Sequence, residues 1–144
     1  MTEIAFHFNA PDKLAYSCRL LRKAVASGAR VVVTGSADTL RELDQALWTF
    51  SAAEFVAHSS DASDAAVRAH SPVVLTATPA QAPHQQVLVN LGGPVPAGFE
   101  RFERLIEVVG HGDEDRGQAR ARWKHYADRG YSLQRHDLAL KEQS

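Results

Sequence analysis

Cysteine is nearly absent: Cys18 is the one thiol in 144 residues. A lone thiol closes no intrachain disulfide and builds no cysteine-based zinc site. It is compatible with a reducing compartment. Histidine is more frequent, at positions 7, 58, 70, 84, 111, 125 and 136. No two of these stand three or four residues apart, so no helical metal pair of the HExxH kind exists. Long apolar runs are missing as well. The longest, such as 31–33 and 72–75, fall far short of a membrane span. The first thirty residues are interrupted by Glu3, Asp12, Lys13, Arg19, Arg22, Lys23 and Arg30, which does not read as a secretory signal. A cytoplasmic protein without membrane contact is expected. Charge of one sign is also lacking, with 16 Lys and Arg against 17 Asp and Glu and a net charge of −1. That balance excludes a chain that coats nucleic acid by bulk charge and argues against a disordered acidic tail, while leaving room for a local charged patch.

Nucleotide and nucleophile signatures are absent in turn. Gly35, Gly92 and Gly93 belong to no GxGxxG and to no Gly-Lys-Ser/Thr loop. Asp38 stands where a phosphate would sit, and Pro94 removes a backbone donor after the paired glycines. Ser36 and Ser51 lack the GxSxG setting of a nucleophile elbow. Cys18 falls on an apolar helix face, where a thiol packs as core. No catalytic set, cofactor site or metal site is expected.

What is present is a well-patterned globular domain, 44% hydrophobic and 23% charged. Ile4, Phe6 and Phe8 alternate as in a strand. Leu14, Cys18, Leu21 and Val25 then recur at helical spacing, and Gly28 suits the end of that helix. Three valines at 31–33 read as a buried central strand. Ser36 offers an N-cap to a second helix with Leu40, Leu43, Ala46 and Leu47 on one side. Strand, helix, strand, helix implies an α/β fold with parallel pairing. Residues 55–56 are a candidate strand leading to His58, and 59–70 reads as loop or a short helix. Further strands are expected at 73–78, 86–91 and 105–109, with a helical turn at 99–102. A final helix is expected over 115–128, stopped by Gly130. The expected architecture is a single domain over 1–138 around a central mixed, largely parallel sheet. Residues 139–144 are expected to be a short disordered tail.

The stretch 116–129 carries Arg116, Arg120, Arg122, Lys124 and Arg129, opposed only by Asp128, a local balance of +4. At about 100° per residue, with Arg116 at zero, Arg120 falls at about 40°, Lys124 at about 80° and Trp123 at about 340°. Three cations and an indole share one face, and Arg122 points away. Such a face repels itself unless an anion visits. An acidic peptide with an apolar end suits the mixture of guanidinium and indole. Three cations without an aromatic ladder make a small footprint for single-stranded DNA.

Leu43-Asp44-Gln45-Ala46-Leu47-Trp48, Glu54-Phe55-Val56-Ala57-His58, Val87-Leu88-Val89-Asn90-Leu91 and Ala119-Arg120-Ala121-Arg122-Trp123-Lys124-His125-Tyr126 occur in this order. Together they resemble the chi subunit of bacterial DNA polymerase III, over nearly the whole chain. The resemblance implies a Rossmann-like domain without a nucleotide-binding loop, and a non-catalytic adaptor of replication and DNA repair. It implies two partners. One is the psi subunit of the clamp loader, met by a surface that includes Trp48 and Phe55. The other is the acidic C-terminal tail of single-stranded DNA-binding protein, met by Arg116, Arg120, Trp123 and Lys124. DNA is then reached only indirectly, and the isolated subunit is expected to be a monomer. The 110–115 turn is short for the family, which leaves Val108 or Val109 to supply an apolar wall. For Trp48 and Phe55 a place in the hydrophobic core is the rival reading. The rival function classes are a small nucleotide- or phosphate-handling enzyme and a direct single-stranded DNA binder.

Overall fold

A computed structural model describes residues 1–49 and 56–139. Seven strands form one sheet: β1 (Glu3–Ala10), β2 (Val31–Thr34), β3 (His58–Ser60), β4 (Val73–Leu75), β5 (Val87–Asn90), β6 (Arg104–Gly110) and β7 (Leu133–Asp137). Their order is β3-β4-β2-β5-β6-β1-β7. Every pairing is parallel, so the expected largely parallel sheet has no antiparallel member among the described residues. The helices are α1 (Lys13–Ala26), α2 (Ala37–Thr49), α3 (Ala65–His70) and α4 (Asp113–Asp128). This is a Rossmann-like single domain.

Local chemistry sets the boundaries. Asp12 caps α1 by accepting the Ala15 N–H at 3.0 Å. Ser36 does the same for α2 through the Thr39 N–H at 3.1 Å. Gly130 takes a left-handed φ of +81° just beyond α4, which turns the chain into β7. The candidate strand at 55–56 begins later, at His58, and residue 55 lies outside the described residues. Strand β4 is shorter than the 73–78 expected, because Pro79 opens a 3₁₀ turn. From residue 140 on, the expected tail also lies outside the described residues.

Burial follows the pleat. Val31, Val33, Val87, Val89, Ile106 and Val108 face α1 and α2. Ile4, Phe6, Val32, Leu88, Leu105 and Val109 face α4. The alternation places Glu107 on the α4 side, where it is fully buried. The sequence reading contains no strand after Gly130; the structure adds β7 there, paired with β1 from Ile4↔Leu133 to Phe8↔Asp137. Gln134, Arg135, His136 and Asp137 hide it from a hydrophobicity search. A strand at the sheet's margin buries too little to need an apolar run.

Candidate binding groove beside the last helix

Helix α4 shows how the site is built. Its buried residues are Ala119, Arg122 and Tyr126. On the helical wheel these lie at about 240–300°, with Arg116 at zero. Trp123 stands at the margin of that seam, and Arg116 and Arg120 lie just beyond it. Burial accordingly falls away from the seam to the arginines. Trp123 is half-buried, with its ring 5.0 Å from Phe6 in an edge-to-face contact. Arg116 and Arg120 are exposed.

The seam itself is polar. Glu107 Oε1 accepts from Arg122 Nε at 2.9 Å and from Asn90 Nδ2 at 3.0 Å. Glu107 Oε2 accepts from the Tyr126 hydroxyl at 2.7 Å. Arg122 Nη1 donates to the Gly93 carbonyl at 2.7 Å. Burial pushes the Glu107 carboxyl upward, while the Arg122 charge and the three donors hold it down. Burial also raises the Tyr126 phenol, and the adjacent Glu107 adds to the effect. Arg122 does point away from the cationic face, as the wheel has it. Its charge is spent inside the protein, so it adds nothing to the exposed cations of this helix.

A groove of about 380 Å³ opens between α4 and the β1–β7 edge, lined by Phe6, Phe8, Val109, Arg116, Ala119, Arg120, Trp123 and Arg135. Three of the four residues expected for the peptide site, Arg116, Arg120 and Trp123, meet there. Lys124 is exposed one step further round the helix and does not line it. Of the two candidates for the apolar wall, Val109 is in the groove. Val108 faces the opposite side of the sheet. Phe6, Phe8, Ala119 and Arg135 are lining residues that sequence reasoning did not assign to the site, and Arg135 is the charged one among them. Its available signal is the alternation Tyr131, Leu133, Arg135, the first two of which pack on the α4-side core. No ion pair joins Arg116, Arg120, Lys124 or Arg135 to a carboxylate among the described residues.

A larger crevice, about 1020 Å³, lies at the carboxyl ends of β2 and β5 and is lined by Gly35, Ser36, Asn90, Gly92 and Gly93 among others. Open α/β sheets hold nucleotides at this end. Here the chain's own groups take the anion positions. The Ser36 hydroxyl occupies the first turn of α2. Asp115 accepts from the Gly110 N–H at 2.8 Å and from Lys13 at 2.9 Å at the start of α4. Three acids, Asp113, Glu114 and Asp115, fill that first turn and oppose a phosphate. No group of three or more His, Cys, Asp or Glu is placed to hold a metal among the described residues. No helix of the described residues is long and apolar enough to cross a membrane.

Cys18 is 1% exposed, and burial pushes its thiol up to about 11, with Asp12 adding and Arg19 opposing. The thiolate is the nucleophile, so the native thiol is expected to be inert near pH 7.5. A soluble disulfide reagent should label it only as fast as the fold opens. Complete labelling within seconds in the absence of denaturant would show an accessible nucleophile instead.

Of the other predicted residues, Trp48 stands at the carboxyl end of α2, is 61% exposed and lies 5.2 Å from the His58 ring. It is therefore a surface residue rather than core. Phe55 lies outside the described residues.

The chain is thus a parallel α/β domain with three acids in the first turn of α4 and a separate open groove that combines aromatic and guanidinium groups. Comparison with known proteins carries this further. The family model described as DNA polymerase III chi subunit, HolC, matches residues 1–134. The DNA polymerase III subunit chi of Pseudomonas aeruginosa is 33% identical over 143 residues, covering 96% of this chain and 98% of that one. The chain belongs to the DNA polymerase III chi-subunit family, accessory subunits of DNA replication.

Proposed function

We propose that this chain is a non-catalytic adaptor which joins the clamp loader to protein-coated single-stranded DNA. In this reading the groove beside α4 receives the acidic C-terminal tail of single-stranded DNA-binding protein. The observation that carries it is the set of arginines without carboxylate partners among the described residues, around a floor of Phe6, Phe8, Val109 and Trp123. Arg120 makes a forked bond to the tail's terminal carboxylate. Arg116 and the more distant Lys124 steer the tail's acidic side chains, and Trp123 packs on its apolar last residue. The psi subunit meets a second surface, which the exposure of Trp48 supports and to which Phe55 is assigned by family resemblance. The isolated chain is a monomer in the cytoplasm, reaches DNA only through its protein partner, and uses no cofactor.

The test is a fluorescence titration with the tail peptide, with and without its last residue. Arg120→Ala is expected to weaken binding by about 1–3 kcal/mol, as for a charge-assisted hydrogen bond. Affinity should fall as salt rises, because the cations are exposed. Unchanged affinity in the Arg120 variant sinks the assignment. An oligonucleotide that binds more tightly than the peptide at equal salt would favour direct binding to single-stranded DNA.

A further inference from the structure

The opposite wall of the groove carries a cation that helix periodicity does not reveal. Arg135 stands on β7 in register with Phe6 of β1, and its side chain reaches the same side of the sheet. Its guanidinium carbon lies 5.2 Å from the centroid of the Phe8 ring and 5.9 Å from that of Trp123. Two aromatic faces thus hold one planar cation over the apolar floor. The residue is exposed, and no carboxylate pairs with it among the described residues. The other charges lining the groove, Arg116 and Arg120, are also positive. Three like charges around about 380 Å³ repel one another when the groove is empty. Ring contacts fix the guanidinium but neutralise nothing, so its outward N–H edge remains available for an anion.

We propose that Arg135 is an anion-binding residue of this groove, taking a peptide's terminal carboxylate from the β7 side while Arg120 takes it from α4. The inference rests on the peptide-binding reading above and sharpens its ligand. Terminal carboxylate and apolar side chain belong to one residue, so a side chain seated on the apolar floor of the groove brings its carboxylate within reach of the outward edge of the guanidinium. A two-walled cationic rim then selects peptides that end at the apolar residue. Peptides that continue past it bury the same side chain but offer no carboxylate at that point.

The experiment compares Arg135→Ala and Arg135→Leu with the unaltered chain, using the acidic tail peptide as free acid and as C-terminal amide. The leucine variant keeps contact with the rings and removes the charge. Both variants are expected to fold, since the side chain is exposed on an edge strand, and urea titration checks this. Each should lose on the order of tenfold in affinity for the free acid. Each should lose twofold or less for the amide, because the group that Arg135 binds has been removed. Equal binding by variants and unaltered chain overturns the role of Arg135 and leaves the peptide site standing. An equal loss for both peptides also overturns it, since Arg135 then acts only as general charge or packing. No binding of the free acid by the unaltered chain overturns the peptide site and this inference together.

Discussion

Glu107→Ala is expected to remove about 3–5 kcal/mol of folding stability, the range for deleting one partner of a buried ion pair. Glu107 is 0% exposed and Arg122 is 1% exposed, so neither charge can turn to water. The alanine leaves three donors without their acceptor: Arg122 Nε, the Tyr126 hydroxyl and Asn90 Nδ2. It also leaves the guanidinium charge uncompensated in the interior. A domain of this size has a total stability of roughly 5–15 kcal/mol, so the change consumes a large part of it. Urea denaturation measures the loss as a lower midpoint. Glu107→Gln keeps the shape and most acceptor capacity, and should fall between the two. The double variant Glu107→Leu with Arg122→Met should be more stable than either single change, because it leaves no unpaired charge. Arg122 Nη2 already lacks an acceptor among the described residues, so the native network is incompletely satisfied and apolar replacement competes well. A loss below about 1 kcal/mol for Glu107→Ala would mean that water reaches this site.

That network also marks the limit of what the sequence discloses. Strands β2 and β5 were legible because both are buried on both faces and each opens with three consecutive apolar residues, at 31–33 and 87–89. The cationic face of α4 was legible because 3.6-residue periodicity depends on the backbone alone. The environment of Arg122 was not. Periodicity gives its direction, opposite to Arg120, but not whether that direction holds water or Glu107. The carboxylate comes from a strand 15 residues earlier, and only sheet register with helix packing brings the two together. Arg135 was missed for a related reason. It belongs to an edge strand with little apolar content, and its place follows from pairing with β1 rather than from its own neighbours in sequence. Lys124 shows the opposite error. It shares the helix face with Arg120, yet lies furthest from the buried seam and falls outside the groove. A face read from a wheel is wider than the part of it that another element encloses.

The residue with the largest expected effect on binding is Trp123, not one of the cations. Its indole forms the α4 side of the groove floor, stands edge-on to Phe6 at 5.0 Å, and supplies one of the two rings beneath Arg135. Truncation to alanine removes the apolar seat and unsettles the cation stacked on it. Trp123→Ala is therefore expected to cost at least about 2 kcal/mol in peptide affinity, the threshold for an aromatic hot spot. Exposed charge contacts are weakened by salt, whereas this loss should persist at high ionic strength because it is apolar. Trp123→Phe should recover more than half of the loss, since a smaller ring still covers the floor. The indole is half-buried, so some folding stability goes with it, and affinity is to be measured where urea titration shows the variant fully folded. Binding by Trp123→Ala within twofold of the unaltered chain would remove the groove as the seat of the peptide's last residue. The rim of arginines would then act only as a general attractor for acidic chains.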